Sequence, residues 1–331
     1  MNFKEFIGID MSKLKFDVRI HSNQMASEFD NNKSGFEKMV KWVLKNSSFK
    51  KEETFFALEH TGIYSLPISI FLSDGNYFFA IIPGLEIKRS LGIQRGKNDK
   101  IDAKRIAEYA FQKKDKIKPS ILPFKNILKI RRLISLRERL VKQRAGYIKD
   151  KGENKKFLRQ SENKTLFEVI YKVIIQLDSQ IKKIEIEFDN IIKSDELINK
   201  QYNLITSIKG VGKQTALVII AYTNCFTLFD NWRKFASYSG TAPFPYRSGT
   251  SIKGRTKVSH LANKKIKTLL NMCARSAIVY NPEIKLYYQK RKNNGDNGMS
   301  AINIIRNKLI SRIFAVVKRG TPYVDICNYA A

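Results

Sequence analysis

The chain has 331 residues, room for two or three domains of ordinary size, and its 61 Lys+Arg against 30 Asp+Glu leave a net charge of +31. That surplus argues against an ordinary small-molecule enzyme and points to a polyanionic partner, while 43% apolar and 11% aromatic residues exclude a disordered basic tail. Cys225, Cys273 and Cys327 lie far apart without a CxxC pair, so neither a disulfide framework nor a zinc site is signalled, and no apolar run is long enough to span a membrane. A cytoplasmic protein with no membrane partner is expected, and the polyanion available there is nucleic acid.

Charge divides the chain. Residues 1–110 hold 17 basic and 14 acidic residues, residues 125–164 hold 14 and 4, and residues 233–319 hold 19 and 2. The grip on nucleic acid is therefore expected beyond residue 124. In the first part, FIGIDMS, KFDVRIHS and ASEFDN read as a three-strand meander. A helix follows, with Phe36, Met39, Val40, Val43 and Leu44 at helical spacing, then a strand at TFFALEH, a helix after Gly62, a strand at YFFAIIP and a last helix from about Lys100 to Lys113. This is a mixed α/β domain, with bounds set at 1–118.

From Phe124 to Ile192 there is no Pro, and apolar residues such as Leu133, Leu136, Leu140, Val169, Val173 and Leu177 recur every three or four positions. That pattern predicts an antiparallel helical hairpin or coiled coil over 119–198, turning near Gly152 to Ser161. Residues 199–331 read as a mainly α-helical domain interrupted by one extended Gly/Pro-rich loop, SGTAPFPYRSGTSIKGRTKVS.

Several residues carry candidate chemistry. Asp10 ends one apolar strand and Glu59 another, which places both at the sheet rim. Asp99 and Asp102, three apart at a helix start, present carboxylates to one side. Together such acids suit Mg²⁺, or Mn²⁺, and two metal ions can activate a nucleophile and stabilise a leaving oxygen at a phosphodiester. Taken singly, each has a plain structural reading, Asp99 as a helix N-cap for instance. Gly210-Val211-Gly212-Lys213 between apolar helices is a helix-hairpin-helix signature in which backbone amides meet a phosphate; a simple helical turn is the alternative. In the proline-framed loop Ser248 stands beside Arg247, either as a nucleophile, which needs activation, or as a turn residue. Lys264, Lys265 and Lys267 are candidate phosphate contacts.

In order along the chain, IGID with Asp10, ALEHTGIY with Glu59, GKNDKIDAKRIA with Asp99 and Asp102, SIKGVG, and GTAPFPYRSG with Ser248 resemble the DEDD transposases of the bacterial insertion-sequence family numbered 110, its 1111 subgroup, and the related Piv-type DNA invertases. The resemblance covers nearly the whole chain. It implies a RuvC-like (RNase H-like) N-terminal domain, a coiled coil and a C-terminal transposase domain. Asp10, Glu59, Asp99 and Asp102 would bind Mg²⁺, and Ser248 would attack DNA to form a covalent link. It further implies a bacterial, nucleoid-associated recombinase acting on element ends and target DNA, guided by a structured RNA, as a dimer or tetramer. The rival readings are a RuvC-like junction nuclease that uses water, a Piv-like site-specific invertase, and a non-enzymatic nucleic-acid-binding protein.

Overall fold

The computed structural model describes residues 3–90, 99–248, 252–259 and 261–324. They form two compact units, Met1–Leu122 and Pro123–Ala331.

The first unit is built on a five-stranded sheet. Strands β1 (Glu5–Met11), β2 (Lys15–Ile20) and β3 (Ala26–Asp30) form an antiparallel meander, and β4 (Thr54–Glu59) and β5 (Phe78–Ile82) extend it in parallel on the other side of β1, giving the order β3-β2-β1-β4-β5. Parallel neighbours need crossovers, and helices α1 (Lys33–Asn46) and α2 (Leu66–Asp74) supply them. Alternation along the strands sorts the residues to two faces. Ile7, Ile9, Met11, Phe56 and Leu58 pack with Phe36, Met39 and Val43 of α1 and Ile68 and Leu72 of α2. Phe6, Phe55, Ala57, Ala80 and Ile82 pack instead with Ile87 of α3 (Gly84–Ser90) and with Ile106, Tyr109 and Ala110 of α4 (Asp99–Gln112). Helix α1 starts where Asn32 accepts a bond from the Gly35 amide, a regular N-cap. The short α3 is absent from the sequence reading, because seven residues carry too little periodicity to be seen.

Among the described residues, the second unit has helices and one hairpin. Helices α5 (Lys125–Phe157) and α6 (Lys164–Ser194) run antiparallel, cross-linked by Lys129–Glu187, Arg137–Glu185 and Arg144–Asp178 ion pairs. The chain turns between Phe157 and Lys164, overlapping the expected stretch, and Gly152 lies inside α5, where a Cβ would meet nothing within 4 Å. Near the root, Ile127, Ile130 and Ile134 join Ile184, Phe188, Ile191 and Ile192 in the main core, while no residue of α5 beyond Ile134 is buried and Phe157 at the tip is 84% exposed.

The core continues through α7 (Glu196–Thr206), α8 (Lys213–Thr223), α9 (Trp232–Tyr238), α10 (Lys264–Tyr280), α11 (Pro282–Asn293) and α12 (Gly298–Arg319). Asx residues cap α7, α9, α10, α11 and α12, each accepting a backbone amide in the first turn.

Where a loop was expected, the structure has a two-stranded antiparallel hairpin, β6 (Pro243–Ser248) and β7 (Ile252–Val258). The prolines hid it. Pro245 has no amide to donate, and the ladder accommodates it with a bulge between Phe244 and Tyr246.

A Cβ on Gly8 would stand 2.5 Å from the Ala107 amide nitrogen and closer still to the Ala103 carbonyl, both backbone atoms of α4. Gly8→Ala should therefore destabilise the first unit by roughly 1–3 kcal/mol through overpacking, read as a lower midpoint in urea denaturation.

Candidate active site

The sheet and α4 bring the acids together on one face. Asp10 shares its side of β1 with Phe6 and Gly8, the side that α4 covers. The parallel register pairs Ile9 with Leu58, so one residue further along Asp10 and Glu59 stand level on neighbouring strands. Asp102 lies on α4 next to Ala103, the residue whose carbonyl abuts Gly8. Glu59 is lodged against Gly84 at the start of α3, where a Cβ would fall 2.9 Å from its carboxyl carbon. All three carboxylates are partly exposed.

Asp17 belongs to the same face, since it pairs with Asp10 across β1 and β2. Sequence reasoning missed it, although the alternation of KFDVRI against FIGIDM carried the signal. Positive charge on this face comes from Arg105, whose Nη1 donates to Asp102 Oδ1 at 2.8 Å. No three acidic, His or Cys side chains among the described residues stand close enough to share a metal ion. The Asp99 side chain lies outside the described residues. Carboxylate oxygens on one partly solvated face are the donor type that a hard divalent cation takes.

Beside this face, Tyr109 of α4 donates to Glu86 Oε1 at 2.5 Å. Burial, followed by the hydrogen bond and charge of Glu86, pushes its pKa up to about 12.

In the second unit the structure places Ser248 at the end of β6, opposite Ile252. The side chains of Arg247 and Ser248, and all of Ser251 and His260, lie outside the described residues. What holds the hairpin is plain at its root. Gly240 has φ +67, and its Cα presses on the Ala262 methyl, so no side chain fits. The next residue, buried Thr241, donates its hydroxyl to Asn307 Oδ1 at 2.9 Å, and its carbonyl accepts from Asn303 and Asn307 Nδ2, each at 2.9 Å. Asn303 is oriented in turn by Arg306, which donates to its Oδ1 at 3.3 Å and to Asn271 Oδ1 at 2.5 Å. Arg306 is 5% exposed. Burial lowers its pKa, and the neighbouring charge of Arg275 lowers it further. Of these residues only Gly240 and Thr241 lay in a motif read from the sequence, GTAPFPYRSG; for the clamp the hint was Asn303 and Asn307 four apart on an otherwise apolar helix.

The expected phosphate contacts divide. Gly210 takes φ +93 and packs its Cα on Ala277 of α10, where a Cβ would meet the Ala277 methyl at 2.6 Å. That is a packing reason for the glycine. Gly212 is the exposed N-cap of α8, followed by exposed Lys213. Lys264 is exposed at the start of α10, Lys267 is half-buried, and Lys265 is held by Glu138 of α5 at 2.6 Å.

Residues 7–160 match a family model described as a transposase, and residues 202–289 match one described as the transposase IS116/IS110/IS902 family. The first span contains the carboxylate face and the second the hairpin. The chain is 25% identical to the pilin gene-inverting protein of Moraxella bovis over 97% of its own length and 98% of that protein's, and equally so to the one from Moraxella lacunata. It is 31% identical to an uncharacterized protein of insertion element IS110 from Streptomyces coelicolor, over 36% of this chain and 29% of that one. The chain belongs to the IS110 family of transposases and is a DNA transposase/recombinase. No helix among the described residues is long and apolar enough to cross a membrane.

Thr241→Val leaves a buried Asn307 oxygen without its donor and should cost about 1–3 kcal/mol, measured by denaturant titration. Lys264→Gln should lower the slope of log K against log salt for nucleic acid by about 0.7–0.9. Lys265→Gln should change it less, because Glu138 already neutralises that ammonium.

Proposed function

We propose that the protein cuts and rejoins DNA strands through a covalent phosphoserine intermediate, with Ser248 as nucleophile and Asp10, Glu59, Asp99 and Asp102 as ligands of Mg²⁺ or Mn²⁺. The observation that carries this reading is the register that sets Asp10 level with Glu59 on the face covered by α4, the helix of Asp102. The strand order β3-β2-β1-β4-β5 supports a RuvC-like first unit. The α7–α8 hairpin, with exposed Gly212 and Lys213, supports a helix-hairpin-helix contact to a phosphate, and the α5–α6 pair supports a coiled coil.

In this mechanism Ser248 Oγ attacks a backbone phosphorus. A bond forms between Oγ and phosphorus, the bond from phosphorus to one deoxyribose oxygen breaks, and that oxygen leaves and takes up a proton as the serine loses its own. A second strand's hydroxyl then attacks the phosphoserine, reversing the bond changes, so the phosphodiester is conserved and no external energy source is required. A divalent cation, when bound, supplies positive charge that activates the attack and stabilises the leaving oxygen. The carboxylates orient and hold that charge. Arg105 balances the charge of Asp102. The asparagine clamp on Thr241 fixes the base of the strand that ends at Ser248.

Base pairing with a structured guide RNA would select the target, since the fold's surplus positive charge recognises backbones rather than sequence. A homo-oligomer, dimer or tetramer, would hold two DNA partners at once. Site-specific inversion is the second reading, favoured by the end-to-end likeness to proteins named for inverting a pilin gene.

The test is incubation of the protein, its co-purified RNA and junction DNA with Mg²⁺, resolved on a denaturing gel. A protein–DNA adduct is expected. It should vanish in Ser248→Ala, persist in Ser251→Ala and disappear on chelation. Asp10→Asn or Glu59→Gln should reduce cleavage by more than about 100-fold, beyond the usual effect of an outer-shell change, with nucleic-acid binding retained. Cleavage that survives in Ser248→Ala without an adduct would establish a water-using nuclease instead.

A further inference from the structure

A cavity of about 650 Å³ opens between α9, the first residues of β6 and α12. Its wall is apolar, made by Trp232, Ala236, Ala242, Pro243, Phe244 and Ile304, and its rim carries the exposed cations Arg233 and Lys234. Phe244 is 49% exposed. That ring has little freedom to withdraw, because prolines on both sides fix the backbone and the bulge at Phe244/Tyr246 sets its direction. The Arg233 guanidinium lies 5.1 Å from the centre of the Trp232 ring, and Lys234 is tied to Asp230 at 2.7 Å.

Two aromatic rings in a small apolar cavity rimmed by cations offer stacking to a flat ring system whose attached group is anionic. Charge complementarity narrows the occupant. Residues 233–319 hold 19 basic and 2 acidic residues, so a polyanion is drawn to this unit while a free apolar ligand is not.

We infer that the cavity seats one unstacked base of single-stranded DNA, with Arg233 on the adjoining phosphate. The inference rests on the strand-transfer reading, because cutting and rejoining leave unpaired bases beside the reacting phosphate. Ser248 ends the strand that begins at the cavity wall with Pro243, five residues away, or about 17 Å at the usual rise per residue. The seated base therefore belongs to a nucleotide near the reacting phosphate and not to the phosphate itself. The contact is also tolerant of base identity. Of the two amides that line the cavity, Asn307 already donates to the Thr241 and Asn303 carbonyls and accepts from the Thr241 hydroxyl, and the Asn231 oxygen accepts from the Lys234 amide, so stacking carries most of the interaction and little is left to read hydrogen-bonding edges.

The chain has two tryptophans, and Trp42→Phe in the full-length protein leaves Trp232 as the sole reporter. A single-stranded oligodeoxynucleotide of roughly 16 nucleotides should quench Trp232 emission on binding, with affinity read separately from the anisotropy of a labelled strand. An abasic strand of the same length should bind without quenching. Phe244→Ala should weaken binding of the base-containing strand about tenfold, a typical stacking loss, and Phe244→Tyr should restore it.

Saturation with unchanged Trp232 emission, equal quenching by the abasic strand, or quenching by RNA of the same sequence but not by DNA would overturn the proposal. Quenching that rises with protein concentration before any DNA is added would assign the cavity to a second copy of the chain and overturn it equally. Ser248→Ala should quench as fully as the parent. Quenching without adduct formation in the parent therefore refutes the serine mechanism alone, and adduct formation without quenching refutes the cavity alone.

Discussion

The first unit depends on one backbone approach. Helix α4 rests on β1 at Gly8 so closely that the Ala103 carbonyl and Ala107 amide occupy the space of a side chain. Small residues on both partners, Gly8 on the strand and Ala103 and Ala107 on the helix, make this distance possible. A bulkier pair would lift α4 off the sheet and carry Asp102 away from the level of Asp10. The apolar contacts of Ile106, Tyr109 and Ala110 with Phe6 and Phe55 then hold the helix in that position. The same face bears Asp10 and Asp17 directly opposite each other, an arrangement that is destabilising for two like charges unless positive charge is nearby. Arg105, on the helix that covers this face, is paired with Asp102.

The second unit solves a different problem, that of fixing the root of a hairpin. It uses buried polar groups. Thr241 is gripped through both its hydroxyl and its carbonyl, and Asn303 and Asn307 are spaced four apart so that both amides reach the same carbonyl. Arg306 behind them is buried with Asn271 and Asn303 as partners. Such networks are directional, and apolar packing alone would leave the hairpin free to rock about its root.

Much of the first unit was legible in the sequence because its strands and helices are strongly periodic. β1, β2 and β3, α1, β4, β5 and α4 all fall close to their expected spans. The acids at strand ends were readable for the same reason, since Asp10 and Glu59 each close an apolar run. Asp17 was harder to read, because alternation gives its face and its pairing with Asp10 depends on register across a turn. The Asp102–Arg105 pair was equally hidden: spacing by three permits the contact without requiring it. In the second unit, periodicity disclosed the helices but not the hairpin, where prolines suppressed the usual strand signal. Gly210 shows the opposite error of emphasis. A glycine read for its proximity to a phosphate also has a structural duty, the close crossing of α10 at Ala277.

The α5–α6 pair has a further property that follows from where its burial stops. Its root is anchored in the main core by isoleucines, whereas along α5 every turn past Ile134 keeps only partial cover and the far end leaves Phe157 in solvent. Opening free energies track buried apolar contact, so amide hydrogens of α5 should exchange slowly at the root and progressively faster outward, while Phe167 and Ile170, buried in the first turns of α6, hold the facing helix. The distal turns of α5 can therefore fray while its base stays folded, which makes that helix a lever with a stiff shoulder and a compliant hand.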